Sequence, residues 1–140
     1  MEVLLSIAIF TIGVVGIGLF MIDIMGTAEK AQNLNQAILL ADEGLEAVKS
    51  IRDESFDDVV VGTFGATTTG GSWSLIEDEP DVNIIGKTFT RTITISLGSV
   101  TEPPESATTS VMQIKSNVTW PMRSGTGDVS LYTFITNWNR

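Results

Sequence analysis

The chain contains no cysteine and no histidine. Sites that depend on a thiolate or an imidazole are therefore excluded: no zinc finger, no Cys-His or Ser-His nucleophile and no haem held by His. No disulfide can brace the fold, and the redox compartment cannot be read from thiol usage. Basic residues are scarce, with 8 Lys and Arg against 17 Asp and Glu, a net charge of -9 over 140 residues. Phosphate neutralisation needs clustered cations, so no specific nucleic-acid partner is expected. There is no nucleotide-binding loop, so energy for any transport or extraction must come from elsewhere. Proline is absent from the first half of the chain, and nothing there forces a helix to break.

What is present begins with EVLLSIAIF, Glu2 to Phe10. One carboxylate stands at the mouth of an apolar run that continues without a formal charge from Val3 to Ile22. Twenty residues of helix span about 30 Å, the thickness of the hydrocarbon core of a bilayer. A cleaved signal peptide would show a basic start, a shorter apolar stretch and a small-residue cleavage site. This run has Met-Glu at its start, is longer, and no such site follows.

The helical pattern continues through DIMGTAEKAQNLNQAILLADEGLEAVKSIRDESF. Leu34, Ile38, Ala41, Leu45, Val48 and then Ile51 or Arg52 recur at steps of three and four, placing one apolar stripe on one face. Gln32, Gln36, Glu43, Glu46 and Asp53 lie opposite. Lys49 flanks them, within reach of Glu46 at i−3 and Asp53 at i+4. The pattern predicts one helix from about Glu2 to about Ser55, some 80 Å long. Asp53, Glu54, Asp57 and Asp58 crowd its C-terminal end, where the macrodipole disfavours anions.

Beyond it the period changes from 3.6 to 2. VVVGTF (59–64) reads as a short strand, GATTTGGS (65–72) as a loop, SWSLI (72–76) as a second strand and EDEPD (77–81) as a turn. TFTRTITISL (88–97) alternates, with Phe89, Arg91, Ile93, Ile95 and Leu97 on one face. SVTEPPESATTS is a breaker-rich loop. VMQIKSNVTW (111–120) alternates again, with Met112, Ile114, Val118 and Trp120 on one face. PMRSGTG (121–127) is a hairpin connector, and DVSLYTFITNW (128–138) is the last strand. Three main antiparallel strands follow, and the amphipathic half of the helix is the cover for their apolar faces. The expected class is α+β: a long N-terminal α-helix packed against a small antiparallel β-sheet head. Its parts are an apolar half (1–26), an amphipathic half (27–55) and the head (56–140).

This order, with MEVLLSIAIFTIGVVGIG at its start, resembles the type IV pilins and the type II secretion pseudopilins. The mature N-terminus of that family reads F-T-L-x-E-V-L-x-x-I-A-I, and the match runs from the residue before the Glu onward. It covers about the first quarter of the chain. LADEGLEAVKSIRDESF is also similar to the second half of the pilin helix, while the head agrees only in architecture. The sequence departs from the family in lacking the leader ending in Gly and the three residues expected before Met1, so that it starts either after processing at an unusual place or downstream of its true start. Two further family features are missing: a proline in the membrane half and a C-terminal disulfide loop.

The resemblance implies that Glu2 of one subunit pairs with the N-terminal amine of a neighbour, making Met1 and Glu2 the assembly residues. From residue chemistry alone a second reading stands beside it, a carboxylate at a helix N-terminus facing headgroup water and favoured by the dipole. Val3, Leu4, Ile7, Phe10, Val14, Ile17 and Phe20 would form the filament-core helix. Gly13, Gly16 and Gly18 either let helices pack closely or, at about 1 kcal/mol of lost helix propensity each, let the helix unwind locally. Such unwinding is what the resemblance implies.

Other features carry blander readings. Glu77, Asp78, Glu79 and Asp81 can be set against Ca²⁺ ligation, but the EF-hand spacing is missing and a solvated turn accounts for them. No carboxylate pair stands at a defined interval for acid–base work, so no catalytic residue, metal or cofactor is expected and the chain is not read as an enzyme. Asn117-Val118-Thr119 is a glycosylation sequon inside a strand. Thr67 to Thr69 and Thr108 to Ser110 can carry O-glycans only on a compositional argument. Trp73, Trp120 and Trp138 read as sheet-covering residues, with Trp138 also able to face a neighbour.

The expectation is therefore a structural subunit. It is inserted in the cytoplasmic membrane as a precursor, then polymerises with copies of itself into a surface filament with the help of a pilus assembly machinery. The functions implied are adhesion, motility or DNA uptake. The alternatives are a minor pilin, a secretion pseudopilin, or a monomeric membrane-anchored extracytoplasmic binding module.

Overall fold

A computed structural model describes residues 2–77, 81–84, 87–98, 111–122 and 125–136. Helix α1 runs unbroken over Glu2–Glu54, 53 residues. Its last bond is donated by Ser55 N to Ile51 O at 2.9 Å. Ser55 is then extended, and a single 3-10 turn follows over Phe56–Asp58. The acidic cluster thus coincides with the end of the helix, as expected from the dipole. The chain separates into two compact units, residues 1–35 and 36–140.

In the second unit six strands form an antiparallel sheet: β1 (Gly62–Thr69), β2 (Ser72–Ile76), β3 (Asp81–Ile84), β4 (Lys87–Leu97), β5 (Val111–Met122) and β6 (Gly125–Thr136). The order is β2-β1-β4-β5-β6, with β3 also paired to β4. One edge of β4 is shared, since β3 takes Lys87 to Thr90 and β1 takes Ile93 to Ile95. The other edge carries β5, in register from Thr90↔Thr119 to Leu97↔Met112. The class is α+β, as the change of period implied.

Several boundaries differ from the sequence reading. The first strand covers 62–69 rather than 59–64, so the stretch read as a loop is mostly ladder. Its Thr residues are β-branched and suit a pleated surface, and the turn is confined to Gly70 and Gly71, with φ of 65° and 92°. Positive φ at both central positions is what a two-residue hairpin turn of type I′ demands. Strand β3 had no counterpart in the sequence reading. The connector placed at 121–127 is shorter, because β5 continues through Pro121 to Met122 and β6 starts at Gly125. Among the described residues Pro121 pairs with β6 alone, opposite Thr126, because the β4 ladder stops at Thr119, and a strand position laddered on one side tolerates proline. Met1, residues 78–80, residues 99–110 and Trp138 lie outside the described residues.

The core lies between residues 37–51 of α1 and one face of the sheet. One apolar cluster gathers Leu45, Ala47, Val48 and Ile51 with Val59, Ala66, Ile93, Ile95, Ile114 and Ile135. Another gathers Ala37, Leu40 and Ala41 with Phe89, Val118 and Trp120. The alternation in β4 and β5 is confirmed except at Leu97, which is 73% exposed at the end of its strand. In the helix, Ala41, Leu45, Val48 and Ile51 are buried, but Leu34 and Ile38 are exposed and Ala37 and Leu40 take the inward positions. Small residues on this stripe, Ala37, Ala41 and Gly44, let the helix axis approach the sheet, and Leu40 fills the space beside them.

Between the two apolar clusters lies a polar layer. Arg91, on the inward face of β4, is buried. Its Nη1 donates to Leu40 O and to Glu43 Oε1, both at 3.2 Å, and its Nη2 donates to Ala66 O at 3.1 Å. Ser116, on the neighbouring strand β5 opposite Ile93, is also buried, and its hydroxyl has no partner. Gly44 faces both. A Cβ there would lie 2.5 Å from Ser116 Oγ and 3.1 Å from Arg91 Cδ, so glycine is what allows this approach. Lys49 meets Glu46 at 2.6 Å, whereas Asp53 is taken by its neighbour Arg52 at 2.8 Å.

Candidate functional site: the apolar half of helix α1

Residues 3–25 carry sixteen large apolar side chains, each 50–73% exposed. At about 1–2 kcal/mol for the exposed part of each, removing this surface from water is worth on the order of 15–30 kcal/mol. A whole folded domain is stable by only about 5–15 kcal/mol. The segment therefore has to be covered by something outside its own unit. It is long and apolar enough to cross a membrane, and none of that window is buried.

The geometry of its few polar groups fits an apolar surrounding. Ser6 and Thr11 are the only polar side chains between Val3 and Ile22. Ser6 Oγ donates to Glu2 O at 2.9 Å, and Thr11 Oγ1 donates to Ile7 O at 2.8 Å. Both hydroxyls are thus satisfied within the helix, as hydrocarbon requires. Thr27 does the same with Asp23 O at 3.1 Å.

Glu2 is the first residue of α1 and is exposed. Val3, Ile7, Phe10, Val14 and Ile17 recur at steps of four and three and share one face, while Leu4 and Phe20 lie on others. The segment is consequently apolar all round, without a single seam. A Cβ added at Gly13, Gly16 or Gly18 would meet no atom within 4 Å, so nothing in a single copy requires glycine at these points.

The remaining candidates sit in the second unit. Asn117 is in the centre of β5, where its amide nitrogen donates to Ser130 Oγ at 2.9 Å and Val129 O at 3.3 Å. Glu77 is exposed and Asp81 opens β3. Thr67 to Thr69 belong to β1. Trp73 is half-buried against the larger cluster. Trp120 is buried, with its ring centroid 6.0 Å from that of Phe89. Lys115 lies 5.9 Å from the ring centroid of Tyr132 on the sheet face away from the core.

No protein-family model matches the chain, and no curated protein or solved structure does either. The architecture itself, one long N-terminal helix whose first half is apolar and whose second half packs on an antiparallel sheet, is compatible with a pilin-like fold. The N-terminal half can anchor the chain in a membrane.

Proposed function

We propose that the chain is a structural subunit of a type IV pilus-like filament, held in the cytoplasmic membrane by α1 before assembly and polymerising through the same helix. The observation that carries this reading is a membrane-length helix with no buried face, headed by a lone carboxylate. A bilayer and a bundle of like helices both cover such a surface. Glu2 supports the polymer in particular. Inside a bundle a carboxylate needs a partner, and the α-amino group of a neighbouring copy is the cation that every added subunit brings. The head, outside the helix bundle, forms the filament surface.

The test is electron cryo-microscopy of material sheared from the producing cells, with wild-type protein and Glu2→Leu. Wild-type filaments with helices bundled at the centre support the proposal, and Glu2→Leu should enter the membrane fraction while filament yield collapses. Normal yield from Glu2→Leu removes the pairing role. Wild-type protein that stays in the membrane, with no filament containing it, favours an anchored binding module instead.

A further inference from the structure

Helix α1 carries four charges before residue 36: Glu2, Asp23, Glu29 and Lys30. Glu29 has a partner of its own. Among the described residues, the side chains of Asp23 and Lys30 make no hydrogen bond or ion pair, and both are exposed. Lys30 is the only cation before Lys49. The two lie seven residues apart, about 10.5 Å along the axis, beyond the three- and four-residue spacings at which side chains of one helix meet.

Seven residues return to nearly the same face of a helix. Glu2, Ile9, Gly16, Asp23 and Lys30 form one series at this interval. Thus the unpaired charges fall along a single stripe, with a glycine in it where a second backbone can approach. A parallel copy displaced by one such interval would set its Asp23 level with Lys30 of the first.

We propose that Asp23 of each copy pairs with Lys30 of the next, fixing neighbouring helices about one heptad, roughly 10.5 Å, apart along the axis. This rests on the filament reading above. The contact is heterologous, so it repeats from copy to copy and leaves partners unmatched only at the two ends. Two charges next to the apolar run would thereby be matched inside the bundle, where an isolated one is costly.

The absence of cysteine makes a direct test possible. Copies carrying Asp23→Cys together with Lys30→Cys are produced in the cells that make the protein, and sheared filaments are oxidised with copper phenanthroline. Disulfides need Cα atoms about 4.4–6.8 Å apart, so the two thiols of one helix cannot join. The double variant should give a ladder of covalent multimers, and each single variant only monomer. Dimer without higher multimers would mean a closed antiparallel pair and would overturn the proposal. So would monomer alone from filaments of normal yield, which would leave the filament reading intact. A second measurement avoids thiols. Lys30→Asp should lower filament yield about tenfold by placing two carboxylates together, and Asp23→Lys combined with Lys30→Asp should restore it to within about threefold. A swap as poor as the single variant overturns the pairing. Wild-type chains that form no filament at all defeat the filament reading and the pairing with it.

Discussion

Gly44 is where the helix comes close to the sheet, and replacing it by Ala sets two known effects against each other. Ala favours helix by about 1 kcal/mol over Gly. The new methyl, however, would lie 2.5 Å from Ser116 Oγ, 3.1 Å from Arg91 Cδ and 3.4 Å from Ile93 Cδ1. Overpacking of this kind costs about 1–3 kcal/mol, and Arg91 cannot retreat easily because three hydrogen bonds hold its guanidinium. The clash outweighs the gain in helix propensity, so Gly44→Ala should destabilise the protein by about 0–2 kcal/mol. Ser116→Ala removes the nearest atom and also a buried hydroxyl without a partner, worth about 1 kcal/mol or more in stability. In that background Gly44→Ala should become stabilising, because the helix-propensity gain survives and the worst clash does not. The measurement is a double-mutant cycle on the full chain in detergent, with denaturant unfolding followed by tryptophan emission. A favourable coupling of about 1–2 kcal/mol is expected between the two sites. If Gly44→Ala has the same effect with Ser and with Ala at 116, the close approach of α1 to β5 is refuted.

Two further outcomes follow from the core. Arg91→Met should lower stability by about 2–4 kcal/mol through lost hydrogen bonds and packing, whereas Glu43→Gln should cost less than about 1 kcal/mol because that carboxylate is half-exposed and screened; urea midpoints of the two variants should differ accordingly. Gly127→Ala should cost about 1–3 kcal/mol, because its Cβ would run into the Trp120 ring across the β5–β6 ladder, and it should shift the emission of Trp120 even in the folded protein.

The features legible in the sequence are those written in period. Twenty uncharged residues followed by three-and-four spacing specify a helix, and its acidic end coincides with the last turn at Glu54. Strict alternation in 88–97 and 111–120 specified the two central strands and the inward parity of Phe89, Arg91, Ile93, Ile114 and Val118. What escaped depends on proximity rather than period. Leu34 and Ile38 are more hydrophobic than Ala37, yet the sheet selects the stripe of Ala37, Ala41, Gly44 and Ala47, because small side chains allow the backbone closer. Thr67 to Thr69 looked like loop because Gly flanks them, although only Gly70 and Gly71 need positive φ. Alternation puts Arg91 on the inner face, but no local pattern marks Leu40 O, Glu43 and Ala66 O as its partners, since they lie 51, 48 and 25 residues away in sequence. At the candidate site the apolar run and Glu2 are plain in the sequence, while the pairing state of Asp23 and Lys30 is not, because it depends on which side chains the helix brings within reach.

The apolar half of α1 is indifferent to which apolar surrounding covers it. Its two hydroxyls are already bonded to the helix, its glycines touch nothing, and its large apolar side chains are exposed on every side. A segment built this way can leave a bilayer for a bundle without remaking any hydrogen bond of its own, and the large free energy of covering sixteen apolar side chains is nearly the same in both places. What distinguishes the two surroundings is charge. At a bilayer surface Glu2 and Asp23 can reach water and need nothing more, but among packed helices each must meet a cation. The chain supplies few: before residue 36 the one basic side chain is Lys30. Hydrophobicity therefore explains why the helix is covered. On the filament reading, the unpaired Asp23 and Lys30 explain why a second copy, about one heptad along the axis, is the cover that leaves neither of them alone.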